Sequence, residues 1–388
     1  MKSIAIIPLR KGSIGIPGKN KKKLLGRPLY QWVLGEAIES NLDEIYVFTD
    51  DESIIERIQL DYKWTDKVKV FERSPESATS TASTEFGMLE LAQSLDFDFD
   101  IYCLLQATSP LTSKDDINKT LDKVVNGGCD SALTVVESKR FLWTKEGTSI
   151  NYNYLARPRR QDFEGLLIEN GAVYAIKKDA YKEQHNRLGG KIGVVEMVEE
   201  SLIEIDEPAD WHIVEQLLAN RLSLHKQAAS KIKALVLDVD GVFTEGKVWV
   251  SGDGELAKAF SLRDGMGLEI ARESGIEIVV MTSENSPIVD QRMRKLQINH
   301  YYKGVKDKFS LLNKVCAKLN VDRHELAYIG DDVNDLANIL SVGWGFTPVD
   351  AVSELKQMAD VVLHSYGGDK AIREGIETII KLNKRSKK

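Results

Sequence analysis

Cysteine is scarce. The three present in 388 residues, Cys103, Cys129 and Cys316, are widely spaced and odd in number, which argues against a disulfide framework and against a cysteine zinc knot. The six histidines have no compact zinc-ligand spacing either. Positive charge is not in excess: 52 Lys and Arg against 59 Asp and Glu leave a formal charge of −7. Nor is there a sustained basic patch interleaved with aromatics, so no nucleic-acid partner is expected. An anionic small molecule remains possible, because a phosphate needs only a local cluster of Lys, Arg or Mg2+. Long apolar runs are missing too. The opening MKSIAIIPLRKG is cut by Arg10 and Lys11 before a signal peptide or membrane span can form, so a cytoplasmic protein with no membrane partner is expected. What is there, 43% hydrophobic and 29% charged residues, suits a folded chain long enough for two packed domains.

Apolar runs ending in polar residues recur along the first half: SIAIIPL at 3–9, EIYVFTD at 44–50 and IYCLLQATSP at 101–110. With helical spacers between them, one beginning near Leu29, they predict an α/β domain with a mainly parallel sheet and ligands beyond the carboxyl ends of its strands. The segment 131–176 is less regular and reads as an arm or subdomain over the sheet. DEPADWHIVEQLLANRLSLHKQ predicts a helix with Pro208 near its start and Trp211, Val214, Leu217 and Leu218 on one face. A second α/β unit starts at KIKALVLDVDG, with strands expected at ALVLDV, IEIVVMTSE, ELAYIGDD and ADVVLHS. The polar stretch 224–230 is the junction, giving expected domains of 1–225 and 226–388.

In the second unit, Asp238 and Asp240 close an apolar strand as DVDG, and strand alternation predicts both carboxylates on one face, with Gly241 turning the chain beside them. One carboxylate can attack phosphorus while the other serves as general acid and base, provided a divalent cation offsets their repulsion. Later strand ends add Thr282 to donate to a phosphate oxygen, Lys308 to neutralise developing charge, and Asp331, Asp332 and Asp335 of GDDVND, which with Asp238 and Asp240 are candidate magnesium ligands.

This ordered set resembles the haloacid dehalogenase superfamily, which implies Asp238 as nucleophile and Asp240 as acid/base. DVDGVFTEGKVWVSGDGELAKAFSLRDGMGL, YKGVKDKFS and YIGDDVND are similar to the small, capless phosphatases of eight- or nine-carbon ketosugar acids. The short stretch after Asp240 leaves no room for a large cap, and GKVWVSGDGELAKAF reads as a hairpin with a GDG turn. That resemblance implies tetramers, and a flexible tail near GGDKAIRE approaching the site, although Asp369 and Lys370 stand where the family usually has Arg-Gly. The eight-carbon branch commonly carries TGR where this chain has Thr282, Ser283 and Glu284, so Glu284 points to a nine-carbon sugar acid. Animal proteins resembling the whole chain have lost the nucleophilic Asp; here the set is complete.

Near the amino terminus LRKGSIGIPGKN follows the first strand, with small residues for backbone approach to a triphosphate and cations at Arg10 and Lys19. It matches neither the phosphate loop ending GK[ST] nor a clean dinucleotide fingerprint. With Thr49 and Asp50, Arg73 and SPESATSTAST, LLQATSPL, ARPRRQDFEG and ENGAVY, residues 2–222 resemble cytidylyltransferases that activate sialic acid and related sugars. The resemblance implies Arg10, Ser13, Lys19, Asn20, Arg73 and Thr84 around CTP, with Gln106 between nucleotide and sugar acid. It also implies Arg159, Gln161, Asn170 and Tyr174 on the acceptor side, with Arg159 or Arg160 facing the sugar carboxylate. Three positions depart from the family: Ile14 for the usual Lys, Ser80 for Asp, and Glu204 with Asp206 for an Asp-x-Asp metal pair.

Together the resemblances imply an N-terminal Rossmann-like nucleotidyltransferase domain with an arm, followed by a capless Rossmannoid phosphatase. They imply Mg2+ in both domains, CTP as substrate, and a homo-oligomer, dimer or tetramer. The implied activity transfers CMP from CTP to a nine-carbon 2-keto sugar acid and hydrolyses the corresponding 9-phosphate. The alternatives are 3-deoxy-manno-octulosonate and its 8-phosphate, or a cytidylyltransferase with a non-catalytic assembly domain.

Overall fold

The computed structural model describes residues 1–13, 15–224, 226 and 231–385; Ile14 and most of the 224–230 junction lie outside the described residues. Two compact units emerge, one of Met1–Lys22 with Pro28–Leu217, the other of Lys23–Arg27 with Leu218–Lys388. The strands in chain order begin with β1 (Ser3–Leu9), the short pair β2 (Lys23–Leu24) and β3 (Arg27–Pro28), β4 (Glu44–Thr49) and β5 (Val68–Glu72). They continue with β6 (Ile101–Leu105), β7 (Ser131–Ser138), β8 (Leu166–Lys177) and β9 (Ile192–Met197).

The first unit is built on a seven-stranded sheet ordered β5-β4-β1-β6-β8-β7-β9. Strands β5, β4, β1 and β6 run parallel, whereas β8 is antiparallel to both β6 and β7. Its apolar runs are continuous because both faces are covered. Along β1, Ala5, Ile7 and Leu9 face a layer with Val33, Leu34 and Val47, while Ile4 and Ile6 face Phe48, Met88 and Tyr102.

The arm is smaller than the sequence suggested. SALTVVE and ENGAVYAIK are not an excursion but β7 and β8, paired in the main sheet because their inward residues, Ala132 and Ala172 among them, fill its core. Only the stretch 139–165 leaves the sheet, closed on itself by Phe141 against Tyr152 and Phe163, with ring centroids 4.3 and 5.1 Å apart. The helix from Pro208 runs to Ser223 and buries Trp211, Val214 and Leu218.

In the second unit β10 (Ala234–Leu237), β11 (Trp249–Ser251), β12 (Gly254–Ala257), β13 (Glu277–Met281) and β14 (His300–Tyr302) precede β15 (Leu326–Ile329), β16 (Trp344–Thr347) and β17 (Val361–Val362). Six of them form an all-parallel sheet ordered β14-β13-β10-β15-β16-β17. Strands β14 (HYY) and β16 (WGFT) do not stand out as apolar runs, because His300, Gly345 and Thr347 interrupt them. Helices Leu262–Glu273 and Ala371–Arg385 supply Leu268, Ala271, Ile372, Ile376 and Ile379 to the core beside Leu235 and Leu237. Between Asp240 and Leu262 lies the exposed hairpin β11–β12, and among the described residues this stretch builds no cap domain over the sheet.

In each sheet chain order reverses beside a central strand, β1 or β10, and the flanking carboxyl ends open a crevice there. The polar residues closing those strands are therefore gathered by topology.

Candidate active sites

In the second unit, β10 ends at Leu237, one residue before the DVDG acids, so strand alternation does not set them. A turn does: the N–H groups of Val242, Phe243 and Thr244 all donate to the carbonyl of Val239. Asp238 is buried and accepts from Lys308 Nζ at 2.7 Å, whereas Asp240 is half-exposed and accepts from Lys258 Nζ at 2.7 Å. Lys308 opens the helix Lys308–Leu319 and also reaches Asp335 Oδ1 at 2.9 Å, with its side chain fully buried. Asp335 accepts a further hydrogen bond from the buried Tyr328 hydroxyl at 2.7 Å.

Asp331 completes the cluster. Carboxylate oxygens of Asp238, Asp331 and Asp335 all lie within 4.8 Å of one another. Gly241, at φ +78°, permits this, since a Cβ there would sit 1.9 Å from Asp331 Oδ2. Burial, then the charges of Asp335 and Asp238, pushes the Asp331 carboxyl up to about 8. Asp238 is also raised, chiefly by burial, against the opposing pull of Lys308. Burial disfavours the charged form of Lys308, but Asp238 and Asp335 outweigh it and hold the ammonium on. One ammonium cannot balance three close carboxylates, and the remaining negative charge in an oxygen-only donor set fits a hard divalent cation such as Mg2+.

The other acids predicted as ligands are placed differently. Asp332 is exposed and caps the following turn by accepting from Val333 N–H at 2.6 Å, because it immediately precedes the turn Val333–Asp335. Asp240 is held by Lys258, outside the trio. Thr282 is buried at the end of β13, with its hydroxyl accepting from Glu284 N–H at 3.2 Å, and Glu284 itself is exposed. The GGDK stretch is packed rather than a free tail: Gly368 N–H donates to Val242 O at 2.9 Å, and a Cβ on Gly367 would lie 1.9 Å from Gly241 O.

The first unit has a cleft of about 510 Å3 at the carboxyl ends of β1, β4 and β6. Its lining brings together all seven residues expected around CTP: Arg10, Ser13, Lys19, Asn20, Arg73, Thr84 and Gln106. The helix Thr84–Ser94 points its N-terminus into the cleft, capped by Ser83, whose hydroxyl accepts from Phe86 N–H at 3.1 Å. That dipole end and three cations make a field suited to a triphosphate. Lys19 is oriented by the Ile205 carbonyl at 2.8 Å and Asp206 at 3.1 Å. Gly15 has to be glycine, because a Cβ would lie 2.3 Å from Asp206 O.

On the acceptor side the sequence was a poorer guide. Asn170 is 1% exposed and bridges Thr134 and Ser201 inside the sheet, so it is a core hydrogen-bonding group and not a surface one. Tyr174 is also buried, its hydroxyl donating to Glu169. Arg159 and Gln161 are exposed in the arm and do not line the cleft. Of the proposed metal pair, Asp206 lines the cleft, while Glu204 packs against Gly171 and is raised by burial and then by Asp206. Ser80 is exposed and off the lining.

Residues 4–235 match the family model described as cytidylyltransferase. The chain belongs to the cytidylyltransferase family. Residues 298–372 match the model for haloacid dehalogenase-like hydrolases, so a hydrolase domain shares the chain and the protein is an enzyme of two catalytic types. N-acylneuraminate cytidylyltransferase A of Danio rerio is 30% identical over 99% of this chain and 90% of that protein. The 3-deoxy-D-manno-octulosonate 8-phosphate phosphatase KdsC of Salmonella typhi is 36% identical over 39% of this chain and 81% of that protein. A solved 3-deoxy-D-manno-octulosonate 8-phosphate phosphatase from Moraxella catarrhalis, in complex with magnesium ion, phosphate ion and KDO, is 32% identical over 43% of this chain and 95% of that chain, with a TM-score of 0.39. Among the described residues no helix is long and apolar enough to cross a membrane.

Proposed function

We propose that this family member carries out two consecutive reactions on a nine-carbon 2-keto sugar acid: hydrolysis of its 9-phosphate and transfer of CMP from CTP to the free acid. The observation that carries the hydrolytic half is the buried Asp238–Lys308–Asp335 chain with Asp331 beside it. Asp238, Asp331 and Asp335 would hold Mg2+, which supplies charge compensation for the phosphoryl group when bound. Asp238 attacks phosphorus while the sugar oxygen leaves, giving an aspartyl phosphate, and Asp240 donates the proton to that oxygen. Asp240 then takes a proton from the water that releases phosphate. Lys308 favours the ionised form of Asp238 that attacks, opposing the effect of burial, and the Thr282 hydroxyl donates to a phosphate oxygen.

In the cleft of the first unit, Arg10, Lys19 and Arg73 position the triphosphate so that the sugar C2 hydroxyl attacks the α-phosphorus and pyrophosphate leaves. Glu204 and Asp206 would hold a second Mg2+, and Arg159 would pair with the sugar carboxylate. The assembly is proposed to be a dimer or tetramer in the cytoplasm.

A second reading rests on the phosphatase relatives, whose names specify an eight-carbon acid. Glu284 and the whole-chain relative favour nine carbons. A matched panel separates them: phosphate release from eight- and nine-carbon 2-keto acid phosphates, and pyrophosphate release from CTP with each free acid. Preference for nine carbons in both assays supports the proposal; preference for eight in both replaces it.

A further inference from the structure

The hydrolase unit contains five residues from far upstream in the sequence, Lys23–Arg27, within the stretch matched by the cytidylyltransferase model. They touch the candidate phosphatase site at two places. Arg27 is 4% exposed and forks onto Asp307, Nε to Oδ1 at 3.1 Å and Nη2 to Oδ2 at 3.0 Å, with Nη2 also 3.0 Å from Ser310 Oγ. Asp307 is the N-cap of the helix that Lys308 opens, and its carboxylate accepts from Ser310 N–H at 3.3 Å and Ser310 Oγ at 2.7 Å. The guanidinium also lies 4.4 Å from the Phe309 ring centroid. Independently, Gly26, at φ +80°, brings this turn so close to the acidic loop that a Cβ would meet Val333 O at 1.8 Å. The segment therefore braces both the helix start that carries Lys308 and the loop that carries Asp331 and Asp335.

We propose that Arg27 is a positioning residue for phosphate-monoester hydrolysis, acting through Asp307 to fix Lys308 against the nucleophile Asp238. A planar, bidentate guanidinium fixes the direction of the cap as well as its charge, which an ammonium on a flexible stem does not. Lys308 touches the reacting carboxylate directly, so a displaced helix start alters the chemical step more than substrate capture. The inference rests on the phosphatase assignment for this unit and adds to it a requirement from a distant part of the chain.

The test uses the full-length protein with Mg2+, reading phosphate from a nine-carbon 2-keto acid 9-phosphate and from p-nitrophenyl phosphate, and pyrophosphate from CTP in the same preparations. Arg27→Ala is expected to lower phosphatase kcat by about tenfold or more with KM within about threefold, because small misplacements near the chemistry cost about that much. Arg27→Lys should fall between Arg27→Ala and wild type. Ser310→Ala, which keeps the charge pair and removes one tether, should lower kcat by a smaller factor. Wild-type kcat in Arg27→Ala, a loss confined to KM, or an equal loss of phosphate and pyrophosphate release would overturn the proposal. A wild type that releases no phosphate from any monoester would sink the phosphatase assignment itself and the proposal with it, an outcome distinct from an active wild type whose Arg27→Ala variant matches it.

Discussion

Replacing Asp331 by Asn separates the cost of the acidic cluster from its use. In the metal-free protein the Asp331 carboxyl is pushed up from 3.8 to about 8, by burial first and then by Asp335 and Asp238. A carboxyl raised on folding contributes stability that is fully present below its unfolded value and is lost as pH rises through the folded one. At pH 8.5 without metal the folded state therefore carries most of the penalty. At about 1.4 kcal/mol per pH unit the full interval would be worth several kcal/mol; screening at this partly exposed group reduces it to roughly 2–3 kcal/mol. For a unit of this size that corresponds to about 4–12 °C in Tm. Asp331→Asn should melt higher than wild type by that order in EDTA at pH 8.5, and the gain should vanish near pH 4. In Mg2+ the variant's advantage should shrink or disappear, since wild type gains about 2.7 kcal/mol at a hundredfold excess over Kd while the variant binds more weakly and gains less. Scanning calorimetry of the hydrolase transition at both pH values, with EDTA or Mg2+, reads all four conditions. A variant that melts lower than wild type in EDTA at pH 8.5, or that gains as much from Mg2+, would refute the reasoning.

The remaining expectations concern single side chains. Asp238→Ala should abolish phosphate release, by about 10³-fold or more, while pyrophosphate release from CTP persists, as paired colorimetric assays would read. Lys258→Met leaves Asp240 without the ammonium that holds it and should lower phosphatase kcat about tenfold or more, measured by steady-state kinetics at saturating substrate. Arg73→Ala removes one of three cations from the nucleotide cleft and should raise the KM for CTP about tenfold or more, with phosphate release unaltered.

The candidate sites were legible where polar residues follow a wholly apolar, buried strand. ALVL before Asp238 and LAYI before Asp331 are four-residue buried runs whose parallel pairing brings their carboxyl ends side by side. The seven cleft residues came from the resemblance to cytidylyltransferases, and they share one cleft because they follow β1, β5 and β6 or open the helix at Thr84. Side-chain partners were not legible. Asn170 looked like a binding residue, yet burial beside Thr134 and Ser201 gives it structural work that no local pattern reveals. Asp332 looked equivalent to Asp331, but the turn that follows claims its carboxylate. Arg27 gave no signal, because its partner is 280 positions away and nothing local predicts the pairing. Lys258, just after the hairpin, joins Asp240 across 18 positions and was likewise unseen.

The central claim is that Asp238 is the nucleophile in a site it shares with Asp331 and Asp335. Quenching the working enzyme during turnover of a nine-carbon 2-keto acid 9-phosphate, reducing any acyl phosphate with borohydride and sequencing the peptides by mass spectrometry tests it directly. Conversion of Asp238 to homoserine, dependent on Mg2+ and absent in Asp331→Asn, is the predicted result. Turnover with Asp238 unmodified, or with the label on another residue, would contradict it.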